Sequence, residues 1–171
     1  MSAEATGALA IPSGAATLVF VRHGESTYVA EGRFQGRHDV PLSPLGERQA
    51  ALVAARLAER DHGLALPIPA GAPAGIWHSP LRRATQTAQA IAAFQPAASP
   101  LVPTEQLTEI AQGEWEGVLA ADVRTRWPAE LAAWRADPTR HHAPGGEPVP
   151  EAAARVRAGL ATILTALLAG R

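Results

Sequence analysis

Cysteine, lysine and asparagine are absent from the 171-residue sequence. Without cysteine the chain can form no disulfide, no thiolate metal site and no cysteine nucleophile. Without lysine every fixed cation is an arginine, so an arginine by itself says little about function. The formal net charge is −1, which gives no electrostatic reason to expect nucleic acid or an anionic membrane as a partner. No apolar run approaches the ~20 residues that span a bilayer, so we expect no membrane association.

The residues that are present are typical of a globular protein. Hydrophobic residues make up 47% of the chain and charged residues 18%, and this length suits one domain with a sizeable core. We expect a loose leader over residues 1–15 and one domain over residues 16–171. The leader lacks the basic and apolar regions of a secretory signal, so we expect a cytoplasmic location. The oligomeric state stays open.

Two short apolar runs, each followed by a helical pattern, indicate an α/β fold. Residues 17–21 predict a buried parallel strand, and residues 75–78 predict a second one. Ser43-Pro44 and Ser79-Pro80 each place a capping serine before a proline, which predicts a helix start after each strand. This alternating order is typical of a parallel sheet flanked by helices. Further helices are predicted over residues 118–126, 128–135 and 151–169, and loops or connectors over residues 24–42, 61–74, 95–104 and 137–150.

The first predicted strand leads directly into Arg22-His23-Gly24-Glu25-Ser26. This motif places an imidazole and a guanidinium at the C-terminal edge of the sheet, where α/β proteins bind ligands. An imidazole can attack phosphorus, and a guanidinium can hold a phosphate through two parallel hydrogen bonds. The motif therefore favours phosphoryl transfer through a histidine.

Two later motifs strengthen this interpretation. Residues 79–88 read Ser-Pro-Leu-Arg-Arg-Ala-Thr-Gln-Thr-Ala, and residues 107–117 read Leu-Thr-Glu-Ile-Ala-Gln-Gly-Glu-Trp-Glu-Gly. With residues 22–26, 33–36 and 41–46, they make the chain from about residue 17 onward resemble the histidine phosphatase superfamily, the phosphoglycerate-mutase-like proteins. The resemblance implies a three-layer α/β fold with a mostly parallel sheet. It also implies hydrolysis of phosphate monoesters through a phosphohistidine, with no metal and no cofactor.

The resemblance assigns roles to individual residues. It implies that His23 is the nucleophile and that Glu109 gives a proton to the leaving group. Arg22 and Arg83 match the two phosphate-binding arginines of the family, because Arg83 stands two residues after the leucine of the Ser-x-Leu unit. Three more residues are expected to contact the substrate or the phosphoryl group: Ser26, Gln35 and Gly36.

Other residues of suitable chemistry fit these roles less well. Glu114 and Glu116 lie near Glu109 in the sequence, but the family spacing of a glutamate, three residues and a glycine selects Glu109. His141 and His142 are adjacent in a loop rich in proline and glycine, where such pairs are usually solvated. Nothing in the sequence has the ligand spacing of a metal site.

One part of the family pattern is missing. The family has a second active-site histidine, in a Ser-His-Gly-like triplet that ends the strand after a Pro-Gly-Gly-Glu loop and its helix. The loop is present as residues 144–147 and a helix follows, but no later histidine does. We therefore expect that the chain is incomplete at its C-terminus and lacks the strand or strands that follow this helix in the family.

Two alternatives to a phosphatase stay open. A cofactor-dependent phosphoglycerate mutase would use the same histidine, but mutases usually have a longer insertion before the Pro-Gly-Gly-Glu loop. Only about 35 residues separate Glu109 from that loop, which favours the phosphatase. The other alternative is a non-catalytic protein that binds phosphorylated ligands, which the missing histidine would suit. The expected partner is a small-molecule phosphate monoester that the sequence does not identify.

Overall fold

The computed structural model describes residues 16–59, 68–69, 71–95 and 98–169, so the expected leader lies outside the described residues. Eight helices and strands follow one another along this part of the chain. In order they are α1 (Thr27–Ala30), α2 (Pro44–Ala58), β1 (Ile76–His78), α3 (Arg82–Ala93), β2 (Leu101–Pro103), α4 (Ala120–Arg126), α5 (Pro128–Ala136) and α6 (Val149–Ala169). Two short 3-10 turns, Glu105–Leu107 and Gly113–Trp115, lie between β2 and α4.

A small parallel sheet flanked by helices makes this an α/β fold, as the sequence predicts. β1 pairs with β2 in parallel, with Ile76 opposite Leu101 and His78 opposite Pro103. β1 lies within the predicted strand, but β2 lies in residues 95–104, for which a connector was predicted. That prediction was wrong because Pro103 normally argues against a strand, whereas here it occupies the last position of a three-residue strand.

The predicted strand over residues 17–21 is not formed. These residues belong to no strand, and Phe20 keeps 77% of its surface exposed and Val19 48%. A β-strand exists only where a neighbouring strand accepts and donates its backbone hydrogen bonds. No described strand pairs with residues 17–21, so the β-rich composition of this run does not suffice.

Helices α2 and α3 pack against each other and against the sheet. Their shared apolar cluster contains Ala54, Leu57 and Ile91 as buried residues, with Val53, Ile68 and Ile76 packed around them. α2 begins as predicted, because Ser43 caps it and Pro44 is its first residue. α3 begins two residues later than Ser79-Pro80 predicts: Leu81 is its N-cap, and the carboxylate of Asp39 accepts from the Arg82 N–H at 2.7 Å. This cap comes from a distant loop, which no local pattern could indicate.

A second hydrophobic core is separate from the cluster between α2 and α3. It contains the buried residues Trp115, Val123, Leu131 and Ala143, surrounded by Phe34, Val118, Trp127 and Trp134. The rings of Phe34, Trp115 and Trp134 contact one another at centroid distances of 5.2 to 6.3 Å. This aromatic packing holds the loop around residue 34 against the segment that carries Glu109.

Helix α6 packs on the turn Glu105–Leu107, and its side chains Ile163 and Leu164 are buried. By length and composition alone this 21-residue helix could cross a membrane, since its most apolar window has a mean hydropathy of 1.4. The sequence analysis found no apolar run of this length, because it counted only uninterrupted apolar residues and Arg155 and Arg157 interrupt the helix. The mean hydropathy of a window, in contrast, stays high when two charged residues are included. Of that window, 17% is buried.

Candidate active site

His23 is half-buried and is held in one orientation by its neighbours. Its Nδ1 lies 2.6 Å from the carbonyl oxygen of Gly24, which can only accept a hydrogen bond. The Nδ1–H therefore donates to Gly24, and Nε2 keeps its lone pair. Nε2 accepts from the Nε–H of Arg83 at 3.3 Å, and the amide nitrogen of Gln35 lies 3.5 Å away. This tautomer is the one that a nucleophilic Nε2 requires.

Gly24 places the imidazole by lying close to another backbone. A β-carbon at Gly24 would overlap the carbonyl group of Gly46, in the first turn of α2. The Gly24 N–H donates to the hydroxyl of Thr87 at 3.2 Å, and that hydroxyl in turn donates to the Arg83 carbonyl at 2.8 Å. Only glycine allows this approach, so the histidine loop is clamped between α2 and α3.

Arg83 is the central cation of the site and is 1% exposed. Its Nη2 donates to the carbonyl oxygen of Gly36 at 2.8 Å and its Nη1 to that of His38 at 3.0 Å, while Nε faces His23. Burial lowers the pKa of the guanidinium from its ordinary value, but an arginine remains charged under all ordinary conditions. The site thus has a fixed positive charge beside Nε2 of His23.

The predicted contact residues Gln35, Gly36 and Ser26 lie together around this cation. Gly36 has a φ of +46° and its carbonyl accepts from Arg83, while a β-carbon there would overlap the carboxylate of Glu116. Ser26 is fully buried and caps α1, and its hydroxyl donates to the side-chain oxygen of Gln35 at 2.6 Å. These contacts orient the Gln35 amide towards His23. The predicted contacts of the three residues with a phosphoryl group stay predictions.

Arg22 and Glu109 reach the site from its exposed side. The Arg22 side chain has no hydrogen-bond partner among the described residues, yet its charge acts on both His23 and Arg83. The carboxylate of Glu109 accepts from the neighbouring N–H of Ile110 at 3.0 Å, and its charge also acts on both residues. An exposed cation and an exposed carboxylate therefore lie within electrostatic range of His23.

A cavity of about 450 Å³ opens beside His23. His23, Arg83 and Glu109 line it together with Ser79, and α6 closes one side with apolar residues such as Val156. His23 is the one histidine that lines the cavity in the described part of the chain. The volume suits a small molecule, and three of the polar residues that line it, His23, Arg83 and Glu109, come from three separate motifs.

The competing residues lie elsewhere. Glu116 accepts from the backbone N–H groups of Arg37 and Gln112 at 2.9 and 2.8 Å, and neither it nor Glu114 lines the cavity. His141 and His142 are exposed, as expected. The described residues contain no cluster of three or more potential metal ligands. Among the acids of this segment, Glu109 is thus the one that faces the cavity.

Burial lowers the pKa of His23 below its ordinary value of 6.5, and the charges of Arg83 and Arg22 lower it further. The hydrogen bond to Gly24 and the charge of Glu109 act in the opposite direction without reversing the shift. Because a protonated imidazole has no lone pair on Nε2, this shift keeps the nucleophilic form populated at neutral pH.

The lowered pKa of His23 predicts a titration midpoint below 6.5 in the folded protein. NMR of the His23 ring protons against pH measures it, with His23→Ala for assignment and the urea-unfolded chain as the reference. Since the unfolded chain binds the proton more tightly, this histidine stabilises the fold above pH 6.5 and that contribution is lost as pH falls through its folded pKa. A folded midpoint at or above the unfolded one would contradict the geometry of the site.

Sequence reasoning missed several residues that support the site. Arg37, Glu147 and Arg155 form an ion network next to Glu109, in which Glu147 and Arg155 are partly buried and Arg37 is exposed. Thr87 and Asp39 join α3 to the histidine loop and to the loop before α2. The Pro-Gly-Gly-Glu motif could have indicated Glu147 as a residue of interest. No sequence pattern distinguishes Arg37 and Arg155 from the other arginines of this arginine-rich chain.

Comparison with known proteins gives a consistent result. A sequence model of the histidine phosphatase superfamily (branch 1) matches residues 18–169. The chain is 33% identical over 140 residues to phosphoserine phosphatase 1 of Hydrogenobacter thermophilus. The aligned residues make up 82% of this chain and 60% of that relative. It is 36% identical over 130 residues to a glucosyl-3-phosphoglycerate phosphatase of Mycolicibacterium vanbaalenii, and these residues make up 76% of this chain and 52% of that relative.

Solved structures resemble the fold as well. A structure described as mycobacterial hydrolase 1 superposes with a TM-score of 0.71 at 31% identity, over 84% of this chain and 62% of that one. A mycobacterial glucosyl-3-phosphoglycerate phosphatase in complex with VO3 gives a TM-score of 0.69 at 31% identity, over 84% of this chain and 64% of that one. The chain thus spans between 52% and 64% of the length of these four proteins.

Proposed function

Because this chain belongs to the histidine phosphatase superfamily, we propose that it hydrolyses small phosphate monoesters through a phosphohistidine on His23. The proposal rests mainly on the position of the unprotonated Nε2 of His23. This atom lies 3.3 Å from Nε of the buried Arg83 guanidinium, and His23 lines the same cavity as Glu109. Nucleophile, fixed cation and acid are the three groups that this reaction needs.

The proposed first step transfers the phosphoryl group to the protein. Nε2 of His23 forms a bond to phosphorus as the ester P–O bond breaks, and the leaving alkoxide takes a proton from the carboxyl group of Glu109. Arg83 and Arg22 stabilise the charge on the phosphoryl oxygens, and the Gln35 amide donates a further hydrogen bond. The phosphorylated imidazole and the free alcohol are the products of this step.

The proposed second step removes the phosphoryl group from His23 and so regenerates the free enzyme. A water molecule attacks phosphorus, its proton passes to the Glu109 carboxylate, and the N–P bond breaks to leave inorganic phosphate and a neutral His23. Each turnover therefore leaves Glu109 protonated for the next. The step consumes water alone, so it needs no metal or cofactor.

Substrate class and location extend the same proposal. The relatives are named for phosphoserine and for glucosyl-3-phosphoglycerate, which are small phosphate monoesters of a size that suits the cavity. We propose such a molecule as the substrate, and the cytoplasm as the place where the reaction occurs.

Transfer to water rather than to a second substrate is the testable core of the proposal. With a ³²P-labelled monoester such as phosphoserine, we expect the label to appear as inorganic phosphate, and after alkaline quenching a fraction on the protein at His23. A parallel incubation contains excess 3-phosphoglycerate as an acceptor. Label that appears mainly in the acceptor would replace the phosphatase proposal by the mutase alternative.

A further inference from the structure

The Pro-Gly-Gly-Glu loop has no part in the proposed chemistry, yet it is tied to the segment that carries Glu109. The Glu147 N–H donates to the carbonyl oxygen of Ala111 at 2.9 Å. In the opposite direction, the Glu114 N–H donates to the carbonyl oxygen of Pro144 at 2.9 Å. The loop therefore lies directly against residues 111–114.

The carboxylate of Glu147 joins two arginines from different parts of the chain. Arg155 of α6 binds it in a bidentate manner, with Nε 3.0 Å from Oε1 and Nη2 2.8 Å from Oε2. Arg37 shares one of these oxygens, with its Nη2 3.1 Å from Oε2. The Glu147 carboxylate is 13% exposed and the Arg155 side chain 22%, so solvent screens this ion pair less than it would at the surface, whereas Arg37 is 41% exposed.

Both arginines also bind the backbone around Glu109. Nη1 of Arg155 donates to the carbonyl oxygens of Gln106 and Thr108 at 2.9 and 2.8 Å, on the N-terminal side of Glu109. Nε of Arg37 donates to the carbonyl oxygen of Glu109 itself at 3.0 Å. The segment that carries the acid is thus held on two sides by cations that share one counter-ion.

We propose that Glu147 is a positioning residue for Glu109: through Arg37 and Arg155 it fixes the backbone on both sides of the acid and so directs its carboxyl group into the cavity beside His23. This inference rests on the proposed function, because it takes Glu109 as the proton donor. Glu147 itself neither lines the cavity nor touches the reacting atoms.

Electrostatics explain why one carboxylate controls both arginines. The hydrogen bonds and charge of Arg155, with the charge of Arg37, hold the pKa of Glu147 below its ordinary value of 4.5, so Glu147 is ionised at neutral pH. Without that negative charge the two guanidinium groups would face each other unneutralised and repel. Loss of the charge therefore releases both supports of the Glu109 backbone together.

The dependence of rate on the leaving group distinguishes positioning from general support of the fold. An alkyl alkoxide needs a proton to leave, whereas 4-nitrophenolate leaves without one. We expect Glu147→Gln to lower kcat/KM for phosphoserine about tenfold and for 4-nitrophenyl phosphate less than about twofold. Glu109→Gln should show the same selectivity more strongly. Glu151→Gln, an exposed glutamate in the first turn of α6, is the matched control and should change neither rate.

A second measurement does not depend on activity. We expect amide hydrogen exchange over residues 106–111 to be faster in Glu147→Gln than in the wild type and in Glu151→Gln, because the clamp on these carbonyl groups is released. If Glu147→Gln does not fold, Arg37→Met removes one side of the clamp, and the same two measurements apply to it.

The outcomes separate the two proposals. An equal fall of kcat/KM for both substrates, or unchanged exchange over residues 106–111, would overturn the positioning role. A wild-type chain that hydrolyses neither substrate would overturn the proposed function instead, and hydrogen exchange alone would then decide whether Glu147 holds the segment.

Discussion

Replacing His23 by alanine should lower phosphate release about 10⁴-fold or more, because the substitution removes the proposed nucleophile. The loop around it should stay in place, since Gly24 remains bonded to Thr87 and close to Gly46. Steady-state release of phosphate from phosphoserine measures the effect. The same substitution should abolish alkali-stable ³²P labelling of the protein.

His141→Ala is the matched control for this experiment. His141 is exposed and belongs to the loop before α6, so its removal should leave both turnover and labelling unchanged. Equal rates from His23→Ala and the unaltered chain would disprove the phosphohistidine mechanism. Thermal stabilisation by phosphate without any turnover would support the non-catalytic alternative, a protein that binds phosphorylated ligands.

Arg83→Ala should have the second largest effect, since it acts on both rate and stability. We expect kcat/KM to fall about 10²- to 10³-fold, because a preorganised cation next to the phosphoryl group is lost. The carbonyl groups of Gly36 and His38 would lose their buried partner, which should destabilise the fold by about 2–4 kcal/mol. Urea unfolding and kinetics on the folded fraction measure the two effects separately.

The neighbouring Arg82 offers a control of the same residue type. Its side chain is exposed, and only its backbone N–H contacts Asp39, so Arg82→Ala should change rate and stability little. Arg83→Lys keeps a charge but cannot bond two carbonyl groups and His23 at once, so it should recover part of the stability and little of the rate. Similar losses in Arg82→Ala and Arg83→Ala would contradict the assigned difference between these two arginines.

Local patterns predicted those elements whose signals lie within a few residues. The Ser43-Pro44 pair correctly predicts the start of α2, because cap and proline act on the adjacent helix turn. The same pattern at Ser79-Pro80 misplaces the start of α3, because the Asp39 carboxylate from a distant loop caps it. Residues 17–21 have the composition of a strand, but a strand also needs a partner, and composition carries no information about that partner.

By itself, the sequence determined the lineage of this chain and the kinds of group that its chemistry would use. Motif order around His23, Arg83 and Glu109 sufficed for that, since each motif is local. Only the tertiary structure decided that Nε2 of His23 faces the Arg83 guanidinium, and that Glu109 rather than Glu116 faces the cavity. It alone revealed how Glu147 joins Arg37 to Arg155. Except for the pairing of Glu147 with Arg155, which are 8 positions apart, these contacts link residues more than 45 positions apart, so they arise from packing and charge pairing that no short stretch of sequence encodes.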